Sequence, residues 1–211
     1  MIPLGDENPT RKFPFLTLVF LSINISVFIY GANLPVHPSV LYEEYALIPY
    51  QLVNNPLSTY PTLYTSMFLH AGIGHLGGNM LYLWIFGNNI EGVLGKFRFI
   101  LFYFVCGTIA ALGHIATNMS SQIPMVGASG AISGILGAYL ILFPFARIKT
   151  FIFLGFFWTI TRIPAIILLL LWIGLQIWNS VLVDEGGVAW FAHIGGFVAG
   201  VLLILPFKHI R

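Results

Sequence analysis

Apolar runs broken by Gly, Pro or charge divide this chain into six segments of helix-forming length: Phe15–Ala32, His75–Ile90, Phe99–Met119, Ser129–Phe145, Ile163–Val183 and Ala192–Phe207. Each approaches the ~20 residues that a helix needs to cross a bilayer core. The pattern predicts an all-α membrane protein, a six-transmembrane-helix bundle forming one domain over residues 1–211. Residues 33–74, between the first two runs, carry Pro35, Pro38, Pro49, Pro56 and Pro61 among Tyr42, Tyr45, Tyr50, Tyr60 and Tyr64. So long a connector, rich in Tyr, is expected to rest in the membrane interface. The stretch Arg147–Thr161 is also apolar but too short to span, with basic residues on both flanks. It is expected to be interfacial or re-entrant.

Composition agrees with this reading. Hydrophobic residues make up 58% of the chain and charged residues 8%, with a mean hydropathy of +0.90. Soluble domains hold roughly 45–50% apolar and 25% charged residues, so this is the composition of an integral membrane protein. Cys106 is the single cysteine, which excludes a disulfide framework and a Cys-based metal site. The first apolar run ends without a small-residue cleavage site and reads as a retained helix. A net charge of +2 is too small to imply a nucleic-acid partner. The basic residues instead report topology. With the N-terminus in the cytoplasm, Arg11, Lys12, Lys96, Arg98, Arg147, Lys149, Arg162, Lys208 and Arg211, all nine of the chain's Lys and Arg, fall on the inside. Residues 33–74, 120–128 and 184–191 are then external.

Candidate chemistry gathers at that external side. Runs two, four and six each begin there with a polar group that lipid would reject: His75 and Asn79, Ser129, and His193. From Ser129 to Pro144 a helix rises about 24 Å, short of a core of about 30 Å, so Ser129 is expected several Å below the surface. His193 to Leu205 rises about 20 Å, which places His193 at a similar or slightly greater depth. In Gly127-Ala128-Ser129-Gly130 the serine stands where a loop becomes a helix. Free N–H groups and the positive end of the helix dipole surround such a hydroxyl, which suits a nucleophile beside an oxyanion. A serine needs a base, and His193 is the histidine at matching depth on another helix. His75 and Asn79, four residues apart, share a helix face, and both can donate to a developing negative charge.

The segments HLGGN (His75–Asn79), GASG (Gly127–Gly130) followed by AISGILGAYL, and AHIGGFVAG (Ala192–Gly200) resemble the rhomboid proteases in order, spacing and placement on runs two, four and six. The resemblance extends from about Thr65 onward. It implies a Ser129–His193 dyad without a required acid, with His75, Asn79 and the Ser129 backbone amide binding the oxyanion and no cofactor. The implied reaction is hydrolysis of a peptide bond in or near the transmembrane segment of another protein. The partners implied are transmembrane protein substrates and membrane lipid, and the setting a prokaryotic plasma membrane with both termini cytoplasmic. Two positions depart from some members: Ser133 stands where an aromatic one turn after the nucleophile supports the imidazole, and Tyr60-Pro61-Thr62 stands near an expected Trp-Arg pair.

Plainer explanations exist for these motifs. Gly130/Gly134, Ser133/Gly137 and Gly196/Gly200 are small-xxx-small pairs that let helices pack closely. Packing alone leaves Ser129 and His193 at matched depth unexplained, and both readings can hold together. His70 and His114 read as packing or hydrogen-bonding residues rather than catalytic ones, His70 lining the mouth of the site and His114 bonding a neighbouring helix, and His37 and His209 as loop and tail residues. Glu91 is expected to bond the Lys96/Arg98 region or backbone amides rather than to react. Asp184 or Glu185 is a weaker candidate for a third triad member. No HExxH segment occurs, which argues against a zinc protease. The competing function is a rhomboid-fold pseudoprotease or small transporter that binds membrane segments without cutting them.

Overall fold

The computed structural model describes residues 1–9, 12–35, 37–182 and 188–209. Strand β1 (Ile2–Asp6) precedes helix α1 (Phe15–Ala32) and four short helices, α2 (Pro38–Tyr45), α3 (Pro49–Asn54), α4 (Pro56–Thr59) and α5 (Thr62–Thr65). The prolines of the 33–74 segment are used as helix starts. Pro38, Pro49 and Pro56 open α2, α3 and α4, where a missing N–H costs nothing. Helix α6 (Ile73–Tyr82) continues through a π-helical stretch, Leu83–Gly87, into α7 (Asn88–Leu94). Gly95, at φ +76°, then turns the chain sharply, a backbone state that favours glycine. Helix α8 (Lys96–Thr117) therefore starts at Lys96, three residues before the expected Phe99. The remaining elements are α9 (Ser129–Leu142), strands β2 (Arg147–Leu154) and β3 (Phe157–Pro164), α10 (Ala165–Leu182) and α11 (Trp190–His209).

Among the described residues four helices are long and apolar enough to cross a membrane: α1, α8, α10 and α11 over Trp190–Lys208. Helix α9 is apolar but has only 14 residues. It lies in the centre, with Ile135, Leu136, Ala138 and Tyr139 fully buried against Phe99, Phe102 and Tyr103 of α8. By contrast Leu170, Leu171, Leu175 and Trp178 of α10 are exposed, an apolar outer face suited to lipid rather than water.

The all-α expectation requires a correction, because β1, β2 and β3 form an antiparallel sheet in that order. Residues 147–164 make a hairpin with unbroken register from Arg147↔Pro164 to Leu154↔Phe157. The reason is local. The strands are dense in Ile, Thr, Phe and Trp, and Gly155, at φ +75°, begins a two-residue turn of the Gly-X kind that hairpins favour. Strand β1 adds by pairing Ile2 with Phe151 and Asp6 with Ile148. Asp6 Oδ2 accepts bonds from Tyr139 Oη and Asn89 Nδ2, both 2.7 Å, which ties the N-terminal strand to α9 and α7. Burial pushes the Asp6 carboxyl above the usual carboxylate range.

Glu91 stands inside α7, and of its two expected partners its carboxylate meets backbone amides. It accepts from Leu16 N at 2.9 Å, Thr17 N at 2.8 Å and Thr17 Oγ1 at 2.8 Å. These are first-turn donors of α1, which has no side-chain cap of its own because Pro14 occupies the N-cap. A distant carboxylate thus caps the helix and meets the positive end of its dipole. Glu91→Ala is expected to cost about 2–4 kcal/mol, since two buried N–H groups lose their acceptor. Glu91→Gln, which keeps the shape, should cost less. Thermal unfolding in detergent measures both, and an unchanged midpoint for Glu91→Ala would contradict this role.

Candidate active site

Helices α6, α9 and α11 bring the four singled-out residues to one cavity of ≈ 1220 Å³, lined by His75, Asn79, Ser129 and His193. Ser129 is the first residue of α9, so the unbonded N–H groups of a helix start surround it. Its Oγ lies 2.8 Å from His193 Nε2 of α11. The approach depends on glycine. A Cβ on Gly196 would sit 2.1 Å from Gly130 O and one on Gly200 1.9 Å from Gly134 O, so α9 and α11 touch backbone to backbone. The small-xxx-small pairs are therefore a packing seam, and that seam carries the Ser–His contact.

His75 and Asn79 sit on α6, beside the loop that leads to Ser129. Gly127 passes so close that a Cβ there would lie 2.8 Å from the His75 ring and 3.4 Å from Asn79 Nδ2. Its φ of +121° is also a glycine conformation. The loop is clamped from the other side: Gly127 N donates to Ser66 O at 2.9 Å, Tyr50 N to Ser121 O at 3.0 Å, and Leu47 pairs with Met125.

Other side chains complete the site, and of these Trp172, Trp190 and Gln176 were not singled out in the sequence. His70 is buried rather than at the mouth, and Asn79 Nδ2 donates to its Nε2 at 2.9 Å. Burial, with His75 nearby, pushes the His70 imidazole down to about 4, which keeps it a neutral acceptor. His114 lines the same cavity, and its buried Nδ1 has no hydrogen-bond partner among the described residues. The place of the absent aromatic is taken from other helices. Ser133 Oγ merely bonds Ser129 O at 2.7 Å, while the His193 ring lies 6.0 Å from Trp172 of α10 and 6.1 Å from Trp190 of α11. Gln176 of α10 places Oε1 2.8 Å from His193 Nδ1. Gln176 carries no formal charge and so escapes a search for ionisable groups, although an amide within an Ile/Leu run was the available signal. Asp184 and Glu185 lie outside the described residues.

The family model described as the Rhomboid domain matches residues 58–209, and the chain belongs to the rhomboid family. It is similar to "Rhomboid protease GluP" of Bacillus subtilis, with 38% identity over 138 residues, covering 65% of this chain and 24% of that protein. To "Rhomboid protein 1, mitochondrial" of Saccharomyces cerevisiae it is 30% identical over 194 residues, 88% of this chain and 51% of the relative. To "Putative rhomboid protease YdcA" of Bacillus subtilis it is 35% identical over 133 residues, 63% of this chain and 64% of the relative. The chain thus spans less than two thirds of each of these relatives. Family and apolar helices together make it an integral membrane protein.

Proposed function

We propose that this chain is an intramembrane serine endopeptidase that cleaves transmembrane protein substrates with a Ser129–His193 dyad. The observation that carries the reading is the 2.8 Å contact between Ser129 Oγ and His193 Nε2 inside a cavity among apolar helices. Ser129 Oγ attacks the scissile carbonyl carbon while His193 Nε2 takes the hydroxyl proton. The carbonyl oxygen becomes an oxyanion beside the Ser129 amide, His75 and Asn79. Asn79 can serve there because its amide nitrogen carries two N–H groups, and the bond to His70 uses one. Collapse expels the amine, which receives the proton from His193. Water then attacks the acyl-enzyme by the same route and frees the new carboxylate.

We further infer six spans, with α9 and the α6–α7 rod joining the four longer helices, and residues 33–74 as the long first external loop. Pairing of β1 with β2 supports placing the N-terminus at the same end as Arg147, Lys149 and Arg162, the positive cytoplasmic side. Arg98, at the start of α8, donates to Lys208 O at 3.0 Å and so shares that end with the tail of α11. The hairpin tip exposes Phe153, Phe156, Phe157 and Trp158 beyond these cations, a combination suited to the interface.

Substrate choice follows from the depth of the dyad. A peptide bond in a regular helix is shielded, so the substrate must unwind before Ser129 can reach it. Unwinding in lipid leaves backbone groups unsatisfied at several kcal/mol each, whereas a polar cavity satisfies them. A single-span protein with Gly or Pro in the outer part of its helix should therefore be cut near that end. Replacing those residues by Leu should slow cleavage about tenfold or more, since each group left unsatisfied adds to the barrier. Proteoliposome assays with mass spectrometry of the products decide this. Equal cleavage of poly-Leu spans, or products ending at the cytoplasmic side, would reject the mechanism.

A further inference from the structure

We propose that Gln176 is a positioning residue for the reaction, its side-chain oxygen holding His193 in the tautomer whose Nε2 can accept the Ser129 proton. The inference rests on the dyad reading above and adds a third group to it, from a helix that carries none of the recognised motifs.

A chain of hydrogen bonds fixes each orientation in turn. Trp172 O, one turn before Gln176 on α10, is a carbonyl and can only accept. Gln176 Nε2 lies 3.3 Å from it and donates, which orients the amide. Oε1 is then the atom that faces His193 Nδ1 at 2.8 Å, and an amide oxygen can only accept. Nδ1 must therefore carry the ring proton, so Nε2 presents its lone pair to Ser129 Oγ at 2.8 Å. With the opposite tautomer Nε2 would donate to Ser129 and could not take its proton. Gln176 is buried, so water competes little for Oε1. As His193 gains a proton, the Nδ1–H···O bond becomes charge-assisted and strengthens, which favours the imidazolium without a permanent negative charge in the membrane. Trp172 acts twice, orienting Gln176 through its carbonyl and flanking the imidazole with its ring.

A polar residue that merely packs would affect stability but not the pH dependence of turnover. Among the described residues, the titratable groups acting electrostatically on His193 are His75 of α6 and His114 of α8, and both stay intact in the variants below. The full chain in proteoliposomes, given one single-span substrate from about pH 5 to 9, separates the two roles. Gln176→Leu should lower kcat about 10–100-fold with KM changed by less than about twofold, because the tautomer and not substrate binding is lost. Gln176→Glu should recover most of that loss and move the acid limb of the profile up by about one pH unit, since a carboxylate beside Nδ1 stabilises the imidazolium. Wild-type kcat and profile in Gln176→Leu, or equal losses in both variants with the acid limb unmoved, would overturn the proposal. Should Gln176→Leu unfold too readily to assay, the acid limb of Gln176→Glu decides alone: shifted upward it supports the role, unmoved it refutes it. Ser129→Ala separates the two readings. A variant as active as wild type defeats the dyad itself, whereas an inactive Ser129→Ala beside an unaffected Gln176→Leu defeats only the role given to Gln176.

Discussion

Ser129→Ala, reconstituted with a Gly-containing single-span substrate, is expected to lose at least about a thousandfold in turnover, or about 4 kcal/mol of barrier stabilisation. His193→Ala should lose about as much, because nucleophile and base act as one unit and removing either leaves the other idle. The cost in stability should be far smaller. Both side chains line the cavity and neither stands in the glycine seam, so deleting the Oγ–Nε2 bond removes about 1 kcal/mol. Activity falling with an unchanged fold is thus the expected signature. A fluorophosphonate probe should label the wild-type protein and not Ser129→Ala. Turnover within about tenfold of wild type in either variant contradicts the assignment, since it corresponds to less than about 1.4 kcal/mol.

Gly196→Ala should fail for the opposite reason, by displacing intact catalytic groups. Its new Cβ would lie 2.1 Å from Gly130 O and 3.2 Å from Ser133 Cβ. The first of these is backbone and cannot rotate away, so α9 and α11 must separate by roughly 1 Å to restore van der Waals distance. Overpacking of this kind costs about 1–3 kcal/mol. The functional loss is larger. Gly130 adjoins Ser129 and Gly196 lies one turn beyond His193, and a misplacement of about 1 Å between reacting groups costs about 100-fold. Gly200→Ala, with its Cβ 1.9 Å from Gly134 O, should destabilise similarly. Gly174→Ala is the control. Nothing lies within 4 Å of a Cβ there, so activity should persist while helix propensity improves. If Gly196→Ala kept wild-type turnover and unfolding midpoint, the seam would not be what places the dyad.

The positions of the apolar helices were legible because lipid solubility is a local property. The expected run Ser129–Phe145 begins at the same residue as α9, and Phe15–Ala32 coincides with α1. The candidate site, four residues that line one cavity, was partly legible for a related reason. Ser129, His193, His75 and Asn79 are polar groups in runs where lipid rejects them, and each carries that signal in its own segment. The β1–β2 pairing was not legible. It joins Ile2 to Phe151 across most of the chain, and five residues of strand say nothing about their partner. The hairpin itself could have been seen in the Gly155 turn and the alternating Ile, Thr and aromatic residues, but hydropathy alone blends them into one apolar stretch.

Sequence alone therefore determined the solvent this protein lives in, the order of its apolar helices, and which polar residues needed an explanation. Each of these depends on a residue and its immediate neighbours. Tertiary structure decided the partners. Glu91 caps α1, Asn79 leans on His70, and Gln176 reaches His193, three bonds between groups distant in sequence or on different elements. Such pairings depend on the rotation and separation of whole helices, as the Ser129–His193 contact depends on the glycines that let α9 and α11 meet. A hydrogen bond exists only within a few tenths of an ångström and a limited range of angles, and that precision belongs to packed helices rather than to any single stretch of chain.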